Sequence, residues 1–266
     1  MKKYIISLVV LFTFISCTHE KKTNFENASF QMKSYGKIYA KYNQPYDIKV
    51  DMSYPEVNGA SSPKVVKELN DAVIRHILSS VGEDTVFATM DELFNNLTKS
   101  YDEMLTDDPI NSMPWELERK VEVNYNAKGI FGIKYEEYGS LGGVHPNTII
   151  LFSNFDLATG RQLSYSDLFV DGFDEKLNAI AEKIFREQKN LTPDQKLEEA
   201  DFWFENNKFA LNNNFYLTTE GIRFYYNTYE ITAYVYGPTD LLIQFEKIKD
   251  ILKRKDLIAA SGSKEE

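Results

Sequence analysis

The histidine in Gly142-Gly143-Val144-His145-Pro146-Asn147 is the residue of this chain best placed to do chemistry, and it is one of only three histidines. Imidazole exchanges its proton near neutral pH, so it serves as base, acid or metal ligand. As a base it would need a nucleophile and an orienting acid, and Ser140, His145 and Asp156 could fill those roles. No serine sits in the Gly-x-Ser-x-Gly turn that exposes a nucleophile in one large hydrolase class. As a metal ligand His145 would need several partners. His76 is remote in sequence and no His-x-x-x-His pair exists, so neither metal nor cofactor is expected. The structural alternative is a braced loop. Gly142 and Gly143 would take unusual backbone angles, Pro146 would stiffen the exit, and His145 would hydrogen-bond across the turn ahead of Asn147. A loop held rigid at the end of a sheet is also a common place for a ligand to bind.

Two further groups invite a chemical role. Asp91, Glu92, Asp102 and Glu103 could act as paired carboxylates only if burial raised the pKa of one of them. An amphipathic helix with an acidic outer side accounts for them without that. The 17 tyrosines and 18 phenylalanines include a crowd at Tyr225, Tyr226, Tyr229, Tyr234 and Tyr236. Such rings stack on sugars or anchor a protein interface, and they are equally good strand formers. Tyr229 joins the 142–147 loop as a candidate contact.

Over the whole chain, 43% hydrophobic and 26% charged residues among 266 suit a folded protein with one large core or two small ones. The formal net charge of -10 comes without a basic stripe, which argues against nucleic acid and for a basic protein partner. The chain opens Met1-Lys2-Lys3, followed by a short apolar run ending Phe14-Ile15-Ser16-Cys17. That run is shorter than the ~20 residues a membrane-spanning helix needs, so it reads as a cleaved leader over residues 1–16. The block before Cys17 resembles a bacterial lipobox, which implies that Cys17 becomes the acylated, palmitate-bearing end of the mature chain. Cys17 is the lone cysteine, so acylation would leave no thiol for a disulfide or a zinc site. Residues 17–27 read as a polar tether and residues 259–266 as a flexible tail.

Between them, 28–258 reads as one envelope-facing domain with an N-terminal part at 28–110. Ser29–Tyr39 and Tyr46–Val57 alternate as two strands, with Tyr46, Ile48, Val50 and Met52 on one face. Val66, Leu69, Val73 and Ile77 mark a helix that Gly82 can stop. A second helix spans Thr85 to Asp107. The pattern of Val121, Val123 and Tyr125, then Asn126 to Gly129, then Phe131, Ile133 and Tyr135 predicts a hairpin, with Ile149 to Phe155 as a third meander strand. Leu177 to Phe185 is helical. Thr192-Pro193-Asp194-Gln195 has the form of a helix start leading through Leu197, Ala200 and Phe204. Phe215–Tyr226, Tyr229–Gly237 and Leu241–Phe245 read as strands, and Ile248, Ile251 and Leu252 as a closing helix. Strands and helices come in groups, so the fold class is α+β, with a largely antiparallel sheet and helices packed on one face.

Gly142 to Asn147, Asn154 to Gly160, Leu163 and Asp167-Leu168-Phe169 resemble a recurring pattern. So do Phe215, Leu217-Thr218, Glu220-Gly221, Phe224, Tyr229-Glu230-Ile231, Ala233 and Gly237. The pattern is that of a bacterial extracytoplasmic domain of unknown function. It is shared by the lysozyme-sensing half of the sigma-V anti-sigma factor and the N-terminal half of a peptidoglycan deacetylase. The resemblance covers roughly Tyr46 to Lys253, best over 115–253, and implies an α+β module at the cell envelope. The anti-sigma factor's cytoplasmic and membrane-spanning helices and the deacetylase's catalytic domain have no counterpart here. The expectation is therefore a non-catalytic, lipid-anchored protein facing periplasm or cell surface. It would bind a peptidoglycan fragment or a basic lysozyme-like protein. The alternative is a polysaccharide-modifying enzyme, deacetylase-like or hydrolytic, working through His145.

Overall fold

The computed structural model describes residues 27–42, 45–80, 85–107, 113–143 and 145–258. The leader, Cys17, nearly all of the tether, Gly82, Val144 and the tail lie outside the described residues.

The architecture is α+β, as the grouping of elements predicts, and its strands divide between two sheets. A five-stranded sheet runs β1 (Ser29–Tyr39), β2 (Ile48–Gly59), β3 (Trp115–Ala127), β4 (Ile130–Ser140) and β5 (Asn147–Asp156), in that spatial order. Between β2 and β3 the chain passes through α1 (Pro63–Leu78) and α2 (Met90–Asp107). This crossover makes β2–β3 the parallel pair of the sheet. The other pairs are antiparallel. The expected meander is present over β3–β4–β5. The Lys128-Gly129 turn closes its first hairpin with both residues at positive φ, 54° and 72°, the left-handed geometry that tight hairpin turns favour. α1 begins at a cap: Ser62 Oγ accepts from Val65 N, and Pro63 occupies the first turn, where a missing N–H costs nothing. Val65, Leu69, Val73 and Ile77 of α1 and Leu93, Phe94, Leu97 and Tyr101 of α2 pack on Ile48, Val50 and Met52 of β2 and their neighbours.

The second sheet is antiparallel, ordered β6 (Phe215–Leu217), β7 (Gly221–Tyr226), β8 (Thr239–Gln244). Between the sheets come α3 (Tyr165–Leu168) and α4 (Phe173–Gln188), and α5 (Phe245–Ile248) follows β8. Leu177, Ala181 and Phe185 of α4 seal a separate hydrophobic cluster.

Four expectations are corrected here. The second helix starts at Met90 rather than Thr85. The segment after Thr192 does not become a helix: short 3-10 turns stand at Glu198–Ala200 and Glu205–Asn207. Gln195 N does bond back to Thr192 O, but Asp201 at φ 62° and Asn206 at φ 52° break any helical run. The bends let Phe202, Phe204 and Phe209 converge on Phe185 at centroid distances of 4.9, 5.6 and 5.2 Å. Apolar burial outweighs a local capping signal worth about 1 kcal/mol. Tyr229–Gly237 is likewise no strand. It is a turn followed by a 3-10 turn at Tyr234–Tyr236, and the Phe215–Tyr226 stretch instead supplies two strands across Glu220-Gly221. The closing helix ends at Ile248, with Ile251 and Leu252 buried beyond it.

The candidate site is an aromatic stack beside a cleft

The loop after β4 is short and open. Gly139 and Asn147 are the last paired residues of β4–β5, and His145, Pro146 and Asn147 are exposed. Gly142 takes a left-handed φ of 83°, while Gly143 does not. A Cβ at Gly142 would lie 3.1 Å from Trp115 Nε1, so glycine serves here both for backbone angle and for close approach. Among the described residues the contact His145 makes is not a cross-turn hydrogen bond but a ring stack on Tyr234, centroids 5.9 Å apart and planes 16° apart. Tyr234 in turn meets Tyr229 at 5.4 Å. Two candidates distant in sequence, His145 and Tyr229, are thus joined by a third ring.

Tyr229 itself holds a φ of 67°. That is an uncommon conformation for a bulky residue, costing on the order of 1–3 kcal/mol. A turn maintains it: Asn227 N donates to Glu230 Oε2 at 2.7 Å, and Glu230 N to Asn227 O at 3.1 Å. Trp203 and Tyr236 extend the ring surface. Trp203 N donates to Ile231 O at 2.8 Å and Tyr236 Oη to Asp201 Oδ2 at 3.1 Å, which seats the 201–203 bend against the 231–236 segment. Trp203, Tyr229, Tyr234 and Tyr236 are 54, 56, 49 and 56% exposed. Burial is the ordinary fate of such rings, and here several stand exposed in one region.

A cleft opens beside it. About 480 Å³ in volume, it lies between Arg75 and His76 of α1, the β5 residues Leu151 to Phe155, and the 212–214 and 227–230 segments. Asparagines build its floor by answering the free edge of β5. Asn214 Oδ1 accepts from Phe152 N and its Nδ2 donates to Ile150 O, both at 2.8 Å, while Asn227 Oδ1 accepts from Ile150 N at 2.7 Å. These amides replace a sixth strand, satisfying an edge that would otherwise invite aggregation. They also pin the second sheet's segments onto the first sheet.

The catalytic arrangement is not assembled. Ser140 and His145 stand at one end of the β4–β5 hairpin, whereas Asp156 pairs with Ile130 at the other. At ~3.3 Å per residue the strand between them separates the two ends by roughly 30 Å. Asp156 Oδ1 instead accepts from Ala158 N, Thr159 N and Thr159 Oγ1, shaping the Asp156–Gly160 turn against α1. Asp167 likewise closes a capping box with Ser164 and an ion pair with Arg161. Among the described residues no group of three or more His, Cys, Asp or Glu side chains could hold a metal ion.

Asp91 and Asp102 of α2 face β1 and its exit, whereas Glu92 accepts from Ala88 N and Glu103 pairs with Lys99 on its own helix. Asp91 accepts from Lys37 Nζ at 2.8 Å and Tyr35 Oη at 3.1 Å, and these bonds lower its pKa. At Asp102 burial acts to raise the pKa, but the bonds from Tyr39 and Lys41 outweigh it and hold the carboxyl below its ordinary value. Both shifts run opposite to what a general acid needs.

Sequence reasoning missed Arg119. It is 1% exposed, donates through Nη1 to Ile77 O and Ser79 O at the end of α1, and pairs with Glu137, which also accepts from Tyr135 Oη. The only sequence signal was a charge at an inward position of β3. Tyr234 was named in the sequence only as one of a crowd of tyrosines, and Trp203, Arg75 and Asn213 were not singled out, because their grouping is set by segments far apart in the chain.

Comparison with known proteins matches two separate stretches of the chain. Residues 41–148 match the family described as Deacetylase PdaC, and residues 166–246 match the family described as Protein of unknown function (DUF3298). The chain is 25% identical over 214 residues to the peptidoglycan-N-acetylmuramic acid deacetylase PdaC of Bacillus subtilis, covering 78% of this chain and 44% of that protein. It therefore spans less than half the length of this relative. A DUF3298 family member from Bacteroides fragilis shares the fold at TM-score 0.69 and 21% identity, covering 85% of this chain and 95% of its own. One from Pseudomonas aeruginosa does so at TM-score 0.63 and 19% identity, covering 87% and 98%.

Proposed function

We propose that this chain is a non-catalytic, lipid-anchored module of the bacterial envelope, held through Cys17, that binds cell-wall glycan on the His145–Tyr234–Tyr229 stack. The carrying observation is the stack itself: three rings, drawn from two separate segments and including a strained Tyr229, present part of their faces to solvent. Pyranose rings stack on such faces through their C–H groups, and the planes here lie 16° apart for His145 and Tyr234 and 38° apart for Tyr234 and Tyr229. The match to a peptidoglycan deacetylase supports an envelope setting.

One observation favours a second occupant, a basic lysozyme-like protein. Asp201, Glu205 and Glu230 are exposed around the rings, and the chain's net charge is -10. Aromatic centres with a charged rim are also how protein hot spots are built.

The test is retention of the Thr18–Glu266 fragment by purified sacculi and by immobilised lysozyme, each at low and raised salt. Glycan stacking predicts salt-tolerant retention on sacculi that Tyr234→Ala and Tyr229→Gly abolish. Tyr229→Gly also relieves the left-handed backbone, so its melting temperature should not fall. Salt-sensitive retention on lysozyme alone would transfer the surface to the protein partner, and retention on neither would end both. A polysaccharide-modifying role for His145 would instead require His145→Ala to abolish turnover of a wall substrate.

A further inference from the structure

We infer that the cleft beside the stack is the second half of the same site, receiving a short peptide branch with a free carboxylate from an amino-sugar oligomer whose rings lie on Tyr229, Tyr234 and His145. The inference rests on the glycan reading above and adds the chemistry of the branch. At about 480 Å³ the cleft has the size of a small-ligand site, and it lies at a seam between sheets, where such sites concentrate. Through Phe152, Gln162 and Asn213 it continues into a recess of about 330 Å³. Glu230, which follows Tyr229 directly, lines it, so stack and cleft adjoin.

The groups left over by the fold define the ligand. Asn212, Asn214 and Asn227 are occupied with backbone and with Glu230, and Glu230 accepts from Asn212 Nδ2 at 2.6 Å and Asn227 N at 2.7 Å. Asn213 makes no side-chain hydrogen bond among the described residues. Gln162 commits Nε2 to Ser153 Oγ at 3.2 Å and keeps its carbonyl oxygen. Asn154, 2% exposed, lines the recess but offers nothing to a ligand, its Nδ2 given to Phe215 O and its Oδ1 buried over Gly132. Arg75 is exposed at the rim, and among the described residues its guanidinium has no ion-pair partner. Leu151 and Phe155 supply the apolar wall. Donor-and-acceptor amides, a guanidinium and an apolar side match a peptide ending in a carboxylate, since guanidinium pairs with carboxylate through two parallel bonds. A neutral sugar would leave Arg75 unanswered.

Calorimetry with the full-length chain in detergent would test this, using an amino-sugar disaccharide, the same disaccharide carrying a tetrapeptide, and that probe with its carboxylates amidated. The peptide-bearing probe should bind about tenfold more tightly than the bare one, the scale of a charge-assisted bond. Arg75→Gln or amidation should erase the difference while leaving bare-disaccharide affinity unchanged; Tyr234→Ala should weaken both. Because Arg75 is exposed, an unchanged melting temperature would separate lost binding from misfolding. Equal affinity for bare and peptide-bearing probes, or an advantage that survives Arg75→Gln, overturns the inference and leaves the glycan reading standing. Binding of neither probe, with sacculi also unretained, overturns both.

Discussion

Phe202 and Trp203 are neighbours in the chain with opposite fates: the first is 8% exposed and packs edge-on against Phe185, the second is 54% exposed. The contrast extends to two whole sets of rings. Phe185, Phe202, Phe204 and Phe209 form a buried knot whose centroids lie 4.9 to 5.6 Å apart. His145, Tyr229 and Tyr234 touch at similar distances, 5.4 and 5.9 Å, on the outside. Ring spacing alone therefore says nothing about role. What separates the sets is that the knot removes apolar area from water, whereas the outer rings leave their faces available and one of them is held at a backbone angle that costs energy.

Substitutions should break this comparison in a definite order. Phe185→Ala carries the largest effect, a loss of about 3–5 kcal/mol, because it both exposes area and leaves a cavity under α4; denaturant unfolding would measure it. Arg119→Met should follow at about 3 kcal/mol, since it strands the largely buried Glu137 carboxylate and the Ile77 and Ser79 carbonyls. A smaller value would mean that the existing Tyr135 bond and solvent together suffice for Glu137. Asn214→Ala should cost about 1 kcal/mol, the net worth of a hydrogen-bonded amide. It should also speed amide exchange at Phe152, which loses its acceptor on the β5 edge.

A pH effect comes next. Burial, then the positive charges of Arg75 and Arg119, lower the pKa of His76, which stacks on Tyr135. The unfolded value is about 6.5, so below that pH the unfolded chain binds the proton more readily. Stability is then complete above about pH 6.5 and declines as pH falls toward the lowered folded value. His76→Phe keeps the ring stack and should flatten the decline in that window. Tyr234→Ala should show the smallest stability change, within about 0.5 kcal/mol, beside a large loss of binding. A stability loss as large as that of Phe185→Ala would erase the distinction between the two sets.

Legibility in the sequence followed the same divide. The first sheet's strands, the Lys128-Gly129 hairpin and α1 could be read because alternation, turn residues and helical spacing are local, and each agreed with the burial it met. The segment from Thr192 to Phe204 carried an equally good local signal and was overruled by the packing of Phe202, Phe204 and Phe209 on Phe185. Tyr229–Gly237 alternates like a strand, yet its rings face solvent and its backbone turns. The loop around His145 was legible as a candidate from composition. Its partner Tyr234 was not, because the two are brought together only when the asparagines of the 212–227 segment answer the edge of β5.

From its residues alone the chain specified its class, its strand pairs within hairpins, the inward faces of α1 and α4, and a suspicious histidine among glycines, all properties that repeat within a few residues. Tertiary structure alone decided that there are two sheets, that β2 and β3 run parallel, that Arg119 is buried against Glu137, and that a cleft with a guanidinium at its rim lies beside a ring stack. Those are contacts between segments dozens of residues apart, and their energies depend on burial and register that no local window contains.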